Sequence, residues 1–383
     1  MINADLPETG TFVFRLWRPE IKGPAICTLR DGMLVDITTP VALTMHDLLE
    51  HAKPVEYVTQ TTGTPVAPLR DVLDNSCENP ETDLPFLLAP CDLQAIKACG
   101  VTFVASMLER VIEETAKGDP QKANDIRARC TEILGDSLRA VVPGSDKATA
   151  LKSALIAEGI WSQYLEVGIG PDAEVFTKAQ PMSSVGYGAS VGLHPSSSWN
   201  NPEPEIVLAV NSRAQVLGAT LGNDVNLRDI EGRSALLLGK AKDNNAACSI
   251  GPALRLFDKT YGIDDVRNAT LDLAVSGPDG FQLKGQSTMA DISRDPLDLV
   301  SQTCGPHHQY PDGFFLFLGT LFAPTQDRDR PGKGFTHKLG DQVCISNPEL
   351  GCLKNTVRLS PECPPWKFGT SALMRNLAKR GLI

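Results

Sequence analysis

Two apolar runs, Ile206-Val207-Leu208-Ala209-Val210 and Gln215-Val216-Leu217-Gly218-Ala219-Thr220, flank a short polar stretch, Asn211-Ser212-Arg213-Ala214. Runs joined by so short a polar turn fold back on each other, so the pattern predicts an antiparallel hairpin. Folding it about residue 213 returns Asp224, beyond the second run, to the neighbourhood of Glu203, before the first. Alternate side chains of an extended segment share a face, so Glu203 and Glu205 point the same way while Pro204 points away. Three carboxylates gathered with no His or Cys nearby are hard oxygen donors that suit Mg²⁺, Mn²⁺ or Ca²⁺ and leave positions open for water or substrate. A solvated acidic hairpin fits the spacing alone equally well.

The remainder of the chain reads as an α+β protein in two parts: a mixed, partly helical N-terminal domain over residues 1–165 and a mainly β domain over 166–383. Thr11–Trp17 and Ala25–Leu29 are strand-like, and Thr44 precedes a short helical pattern to His51 as a plausible N-cap. Helical spacing is expected over Asp92–Lys117, Pro120–Leu134 and Asp146–Leu165. After Asp172, short β runs separated by Gly and Pro take over, among them Leu271–Val275 and Phe314–Leu318. The 383 residues carry a formal charge of −10, which argues against nucleic acid or an acidic membrane as partner. Neither a bilayer-length apolar run nor a signal core is present, and the ten cysteines include no Cys-x-x-Cys pair, so a cytoplasmic protein with reduced thiols is expected.

Around the three acids the chain reads Gly192-Leu193-His194-Pro195-Ser196-Ser197-Ser198-Trp199, then Gly222-Asn223-Asp224-Val225-Asn226-Leu227-Arg228-Asp229, then Gly239-Lys240-Ala241-Lys242 and Ile250-Gly251-Pro252. With Glu174-Val175-Phe176-Thr177-Lys178 upstream and Gly319-Thr320 downstream, this order resembles the fumarylacetoacetate hydrolase superfamily over roughly residues 165–350. The wording of His194–Asn201 and Ser287–Pro296 is similar to that of its bacterial 2-keto-3-deoxypentonate dehydratases. The resemblance implies a β-rich catalytic fold, commonly a homodimer or homotetramer. It also implies Mg²⁺-dependent dehydration of a small 2-keto-3-deoxy sugar acid, 2-keto-3-deoxy-D-xylonate, to 2,5-dioxopentanoate. An acylpyruvate-type carbon–carbon hydrolase would share every metal ligand, and a sugar-acid binding protein without turnover is a third possibility.

The resemblance also places the catalytic lysine at Lys242, with Lys240 as competitor because Asp243-Asn244-Asn245 replaces the Phe-Asp pair that follows it in many relatives. Glu174 takes an acid/base role by the same resemblance, and which of Glu174 and Lys242 is acid or base stays open. Lys178 shares a strand face with Glu174, which it could pair with, or it could bind the substrate carboxylate. His194 titrates near neutrality and is a candidate for proton transfer, although its loop could equally use it for hydrogen bonding. Ser287, Ser293, Arg294 and Thr320 are candidate substrate ligands through their hydroxyls and guanidinium. Gly332-Lys333-Gly334-Phe335-Thr336-His337 lacks the spacing of a phosphate loop and reads as a mobile lid near the site.

Overall fold

The computed structural model describes residues 6–103, 107, 141–157, 159, 161–320, 324, 326–329 and 334–383. Their strands form two sheets. The larger runs in the order β4 (Thr64–Pro68), β3 (Met33–Asp36), β2 (Gly23–Arg30), β1 (Thr11–Arg18), β11 (Cys248–Leu256), β10 (Val216–Asp224), β9 (Pro204–Val210), β14 (Phe314–Phe317), β6 (Ala95–Gly100) and β7 (Glu174–Ala179), with β5 (Phe86–Leu88) beside β1. The smaller runs β13 (Gln282–Thr288), β12 (Thr270–Ser276), β15 (Gln342–Asn347), β16 (Gly351–Leu359) and β8 (Ser190–Leu193).

The unbroken apolar run of β9 follows from burial on both of its faces. Ile206, Leu208 and Val210 enter a core shared with Leu271, Leu273 and Ile345 of the smaller sheet. Val207 and Ala209 enter a second core with Met45, Leu48 and Val58 from the helices Met45–Glu50 and Pro54–Gln60. β14 divides in the same way, Phe314 and Leu316 to the first core and Phe315 and Phe317 to the second. A strand with no wet face loses the apolar–polar alternation, whereas β12 keeps it, burying Leu271, Leu273 and Val275 and leaving Asp272 exposed. The hairpin that carries the carboxylates is thereby clamped from both sides.

The expected strands Thr11–Trp17, Ala25–Leu29, Leu271–Val275 and Phe314–Leu318 are present within a residue or two of their bounds. Thr44 caps its helix, accepting a hydrogen bond from the Asp47 amide while Asp47 reaches back in a capping box. The large sheet draws strands from both sides of residue 165: β1 pairs with β11, and β6 runs parallel to β14 and antiparallel to β7.

Two helical expectations are corrected. Residues 95–100 are strand β6, with Ile96 and Ala98 buried and Lys97 reaching Thr177 Oγ1 across β7 at 3.1 Å. A short apolar run is compatible with either period, and here the two neighbouring strands decide. The stretch Asp146–Leu165 is two helices, Asp146–Ala157 and Gln163–Ile169, interrupted at Gly159, whose φ of +69° no helix interior accepts. The expected helix Pro120–Leu134 and the end of Asp92–Lys117 lie outside the described residues. Among the described residues no helix is long and apolar enough to cross a membrane.

Candidate functional site

The hairpin register puts Gly222 opposite Glu205 and Asn223 opposite Pro204, and the ladder continues with Asp224 N–H donating to the Glu203 carbonyl at 3.0 Å. Carboxylate oxygens of Glu203, Glu205 and Asp224 consequently lie within 4.8 Å of one another, all three side chains buried, in an arrangement able to hold a metal ion. Lys242, at the end of the helix Leu238–Lys242, donates to Glu203 Oε2 at 2.8 Å and to Asp224 Oδ2 at 3.1 Å. Lys178, fully buried, places Nζ 2.7 Å from Asp224 Oδ1 and donates to the Lys242 carbonyl at 2.9 Å. Lys240 is exposed, and of the two lysines it is Lys242 that reaches the carboxylates.

Electrostatics shape this cluster as strongly as packing. Burial, with repulsion from Asp224 and Glu203, pushes the Glu205 carboxyl well above the ordinary glutamate range despite Lys242 and a hydrogen bond from the Gly319 amide. Burial disfavours the Lys242 ammonium, yet Asp224 and Glu203 outweigh it and hold Lys242 well above the usual lysine value. Three carboxylates against two ammoniums, Lys178 and Lys242, leave one surplus negative charge in a buried site. A proton on Glu205 or a bound cation would remove it. With oxygen donors only, the set fits Mg²⁺, Mn²⁺ or Ca²⁺.

Glu174 and Thr320 line the cleft that opens from the carboxylates, with Phe176 and Gly100. Glu174 lies directly across Gly100 on the neighbouring strand, where a Cβ would collide with its carboxylate. Gly319 donates its amide to Glu205 Oε2 at 2.7 Å, and with φ +91° and Thr102 Oγ1 packed against its α-carbon, the position requires glycine. Lys178 pairs with Asp224 rather than with Glu174.

Four candidates are not brought to this cleft. His194, at the end of β8 in the other sheet, accepts at Nδ1 from the Ser196 amide at 3.1 Å and sits 2.8 Å from Ser196 Oγ, so the hydrogen-bonding reading of its loop describes it. Ser287 is buried on β13 opposite Leu271. Ser293 donates Oγ to the Thr102 carbonyl at 2.9 Å. Arg294, 3% exposed, donates to the carbonyls of Val167, Gly170 and Asp172, and with Ser293 it borders a separate cavity. A guanidinium that donates to three carbonyls, with Nη1 3.5 Å from Asp298 Oδ2, acts as a staple for the 167–172 turn. Arg294→Ala is therefore expected to lower unfolding free energy by about 3 kcal/mol in urea titration, and to leave Mg²⁺ affinity measured by calorimetry within about twofold.

The described part of the expected lid is also packed down. Phe335 is buried, Trp199 Nε1 donates to its carbonyl at 3.1 Å, and His337 Nδ1 lies 2.9 Å from Asp341 Oδ2. Residues 330–333 lie outside the description. The sequence reading missed Asn226, whose Nδ2 donates to Glu203 Oε1 at 2.9 Å, and Glu231, which borders the cleft. Asn226 was findable: the hairpin register carried two residues past Asp224 sets it opposite Asn201, and their backbones exchange hydrogen bonds at 3.0 and 3.1 Å.

Residues 169–358 match the family model described as fumarylacetoacetate (FAA) hydrolase C-terminal. A probable 2-keto-3-deoxyxylonate dehydratase of Haloferax volcanii is 29% identical over 194 residues, covering 51% of this chain and 63% of that protein. The 2-dehydro-3-deoxy-D-arabinonate dehydratase of Saccharolobus solfataricus is 30% identical over 188 residues, covering 48% and 58%. The aligned region thus spans about three-fifths of these relatives' length. A solved 2-keto-3-deoxy-D-arabinonate dehydratase complexed with magnesium and 2,5-dioxopentanoate superposes with a TM-score of 0.63 at 19% identity, covering 91% of this chain and 99% of that one, a likeness of fold. The match over residues 169–358 takes in the carboxylates Glu203, Glu205 and Asp224 together with Glu174, Lys178 and Lys242, so this stretch of the chain is similar to the fumarylacetoacetate (FAA) hydrolase C-terminal family.

Proposed function

We propose that the protein is a Mg²⁺-dependent hydro-lyase that converts 2-keto-3-deoxy-D-xylonate to 2,5-dioxopentanoate and water. The observation that carries this reading is the buried triad Glu203, Glu205 and Asp224, with its surplus negative charge, at the base of a cleft that also holds Glu174 and Lys242. The names of the two dehydratases similar in sequence, and the magnesium and 2,5-dioxopentanoate in the solved structure similar in fold, support the substrate class.

The three carboxylates would hold the ion, which when bound supplies Lewis acidity to a 2-keto acid and so makes its C3 hydrogens acidic. Lys242 is kept as an ammonium by Glu203 and Asp224 in the ion-free protein, so its Nζ carries a proton to donate. Glu174, on the facing wall, offers a carboxylate as acceptor. Glu174 would take the C3 proton, and Lys242 would protonate the C4 hydroxyl as it leaves as water. Loss of a C5 hydrogen from the resulting C3=C4 unsaturated acid, with reprotonation at C3, gives a C4=C5 enol, which becomes the terminal aldehyde as C4 gains a proton and the C5 hydroxyl loses one.

The assay is formation of 2,5-dioxopentanoate, followed through an NAD⁺-coupled aldehyde dehydrogenase, with Mg²⁺ and then with EDTA. Both 2-keto-3-deoxy-D-xylonate and its C4 epimer are supplied. Turnover of the first that stops in EDTA is the expected result. Folded, Mg²⁺-loaded protein that forms no semialdehyde but cleaves an acylpyruvate would replace the dehydratase with a carbon–carbon hydrolase.

A further inference from the structure

The cleft does not end at Glu174 and Glu231. Both residues also border an adjoining chamber, whose other walls are Gln163, Tyr164 and Val167 from one helix and Ala235 and Leu238 from the approach to another. Positions three and four apart share a helix face, so Gln163, Tyr164 and Val167 present one surface of the helix Gln163–Ile169. By the same spacing, Leu238 lies on the face of its helix that carries Lys242. Four residues of helix rise about 6 Å, roughly the length of four or five carbon–carbon bonds. For a 2-keto acid held by its carboxylate and keto oxygens at the triad, with C3 and C4 beside Glu174 and Lys242, the chamber wall at Leu238 is therefore within reach of whatever follows C5. The chamber walls there are mainly apolar, through Val167, Ala235 and Leu238, with a phenol and an amide from Tyr164 and Gln163 at the margin.

Resting on the dehydratase reading, we propose that this chamber is a tail subsite that accepts the carbons of a 2-keto acid beyond C5 and sets the chain length the protein prefers. The triad recognises the keto-acid head, which all such substrates share, and the chamber discriminates among tails. Substrates with an alkyl or deoxygenated tail of one to three further carbons fit it better than a fully hydroxylated tail, whose hydroxyls would meet apolar walls.

The test is calorimetric binding of pyruvate, 2-oxopentanoate and 2-oxoheptanoate to the full chain in Mg²⁺, which is independent of turnover. Burying each added methylene strengthens binding by about fourfold, so 2-oxoheptanoate, with two carbons beyond C5, should bind about tenfold more tightly than 2-oxopentanoate. Ala235→Trp, at an exposed position tolerant of substitution, and Val167→Trp should both shrink that ratio toward one. Taking the ratio cancels any general loss of metal or folded protein. Equal affinities for the three acids, or a ratio unchanged in both variants, would overturn the tail subsite and leave the five-carbon dehydratase standing. Failure of all three acids to bind would remove the metal-held keto-acid reading, and the subsite with it.

Discussion

Glu205→Gln is expected to lower Mg²⁺-dependent formation of 2,5-dioxopentanoate by about 10³-fold or more while making the ion-free protein more stable. The two effects have one origin. Glu205 is the member of the triad that neither lysine touches; it accepts from the Gly319 amide, a bond that the amide oxygen of glutamine can accept in its place. Burial and the neighbouring Asp224 and Glu203 charges disfavour its ionised form, so its carboxyl titrates well above the usual range. In EDTA the folded protein therefore holds a proton that the unfolded chain releases near the ordinary glutamate value of 4.5. Stability contributed by this group is full below that point and declines as pH rises toward the elevated folded value. Glutamine removes the decline. A cation that binds the ionised triad reverses it in the wild type, since metal binding and protonation compete for the same oxygens. Thermal melts of wild type and Glu205→Gln, with Mg²⁺ and with EDTA across pH 5–8, check this directly. The wild type should gain stability from Mg²⁺ increasingly as pH rises, and the variant should gain almost none. A variant that keeps full Mg²⁺ stabilisation would remove Glu205 from the ligand set.

The triad was legible because a hairpin register is a local property: two runs and a turn determine which residues meet beyond their ends, and Asp224 meets Glu203 as that geometry requires. Strands with one wet face, such as β12, announce themselves by alternation, and Thr44 announces its helix by capping chemistry. What failed depended on long-range pairing. β6 is a strand because β14 and β7 flank it, and nothing within residues 92–100 records that. Nor does the composition shift near residue 165 reveal that β1, from the start of the chain, hydrogen-bonds to β11 in the sheet that carries the site. Arg294 shows a different limit. Its residue type suits a carboxylate ligand, but the carbonyls of residues 167–172 claim the guanidinium, and they come from a segment more than a hundred residues away. Lys178 shares strand β7 with Glu174, but its partner Asp224 comes from the end of β10, and a register shift leaves Lys178 out of the ladder with β6.

That partner makes the loss of Lys178 costly in stability. Its side chain is fully buried, 2.7 Å from Asp224 Oδ1, with hydrogen bonds to the carbonyls of Lys242 at 2.9 Å and Val225 at 3.3 Å. It therefore joins three segments: strand β7, the chain just beyond β10, and the end of the helix that carries Lys242. Lys178→Met keeps the length and apolar stem of the side chain but removes the charge. The ionised Glu203 and Asp224 would then face Lys242 alone, and two buried carbonyls would lose their donor. Removing one member of a buried ion pair costs about 3–5 kcal/mol, so the variant should unfold at markedly lower urea concentration in EDTA. Mg²⁺ should restore part of that loss, because a cation at the triad supplies the missing positive charge without restoring the carbonyl contacts. Lys240→Met, with its exposed side chain, should change stability by less than about 0.5 kcal/mol and serves as the control. Equal urea midpoints for the two variants would mean that the Asp224–Lys178 pair contributes little to the fold. A Lys178→Met protein that Mg²⁺ does not stabilise would instead show that Lys178 is needed to position Asp224 for the ion.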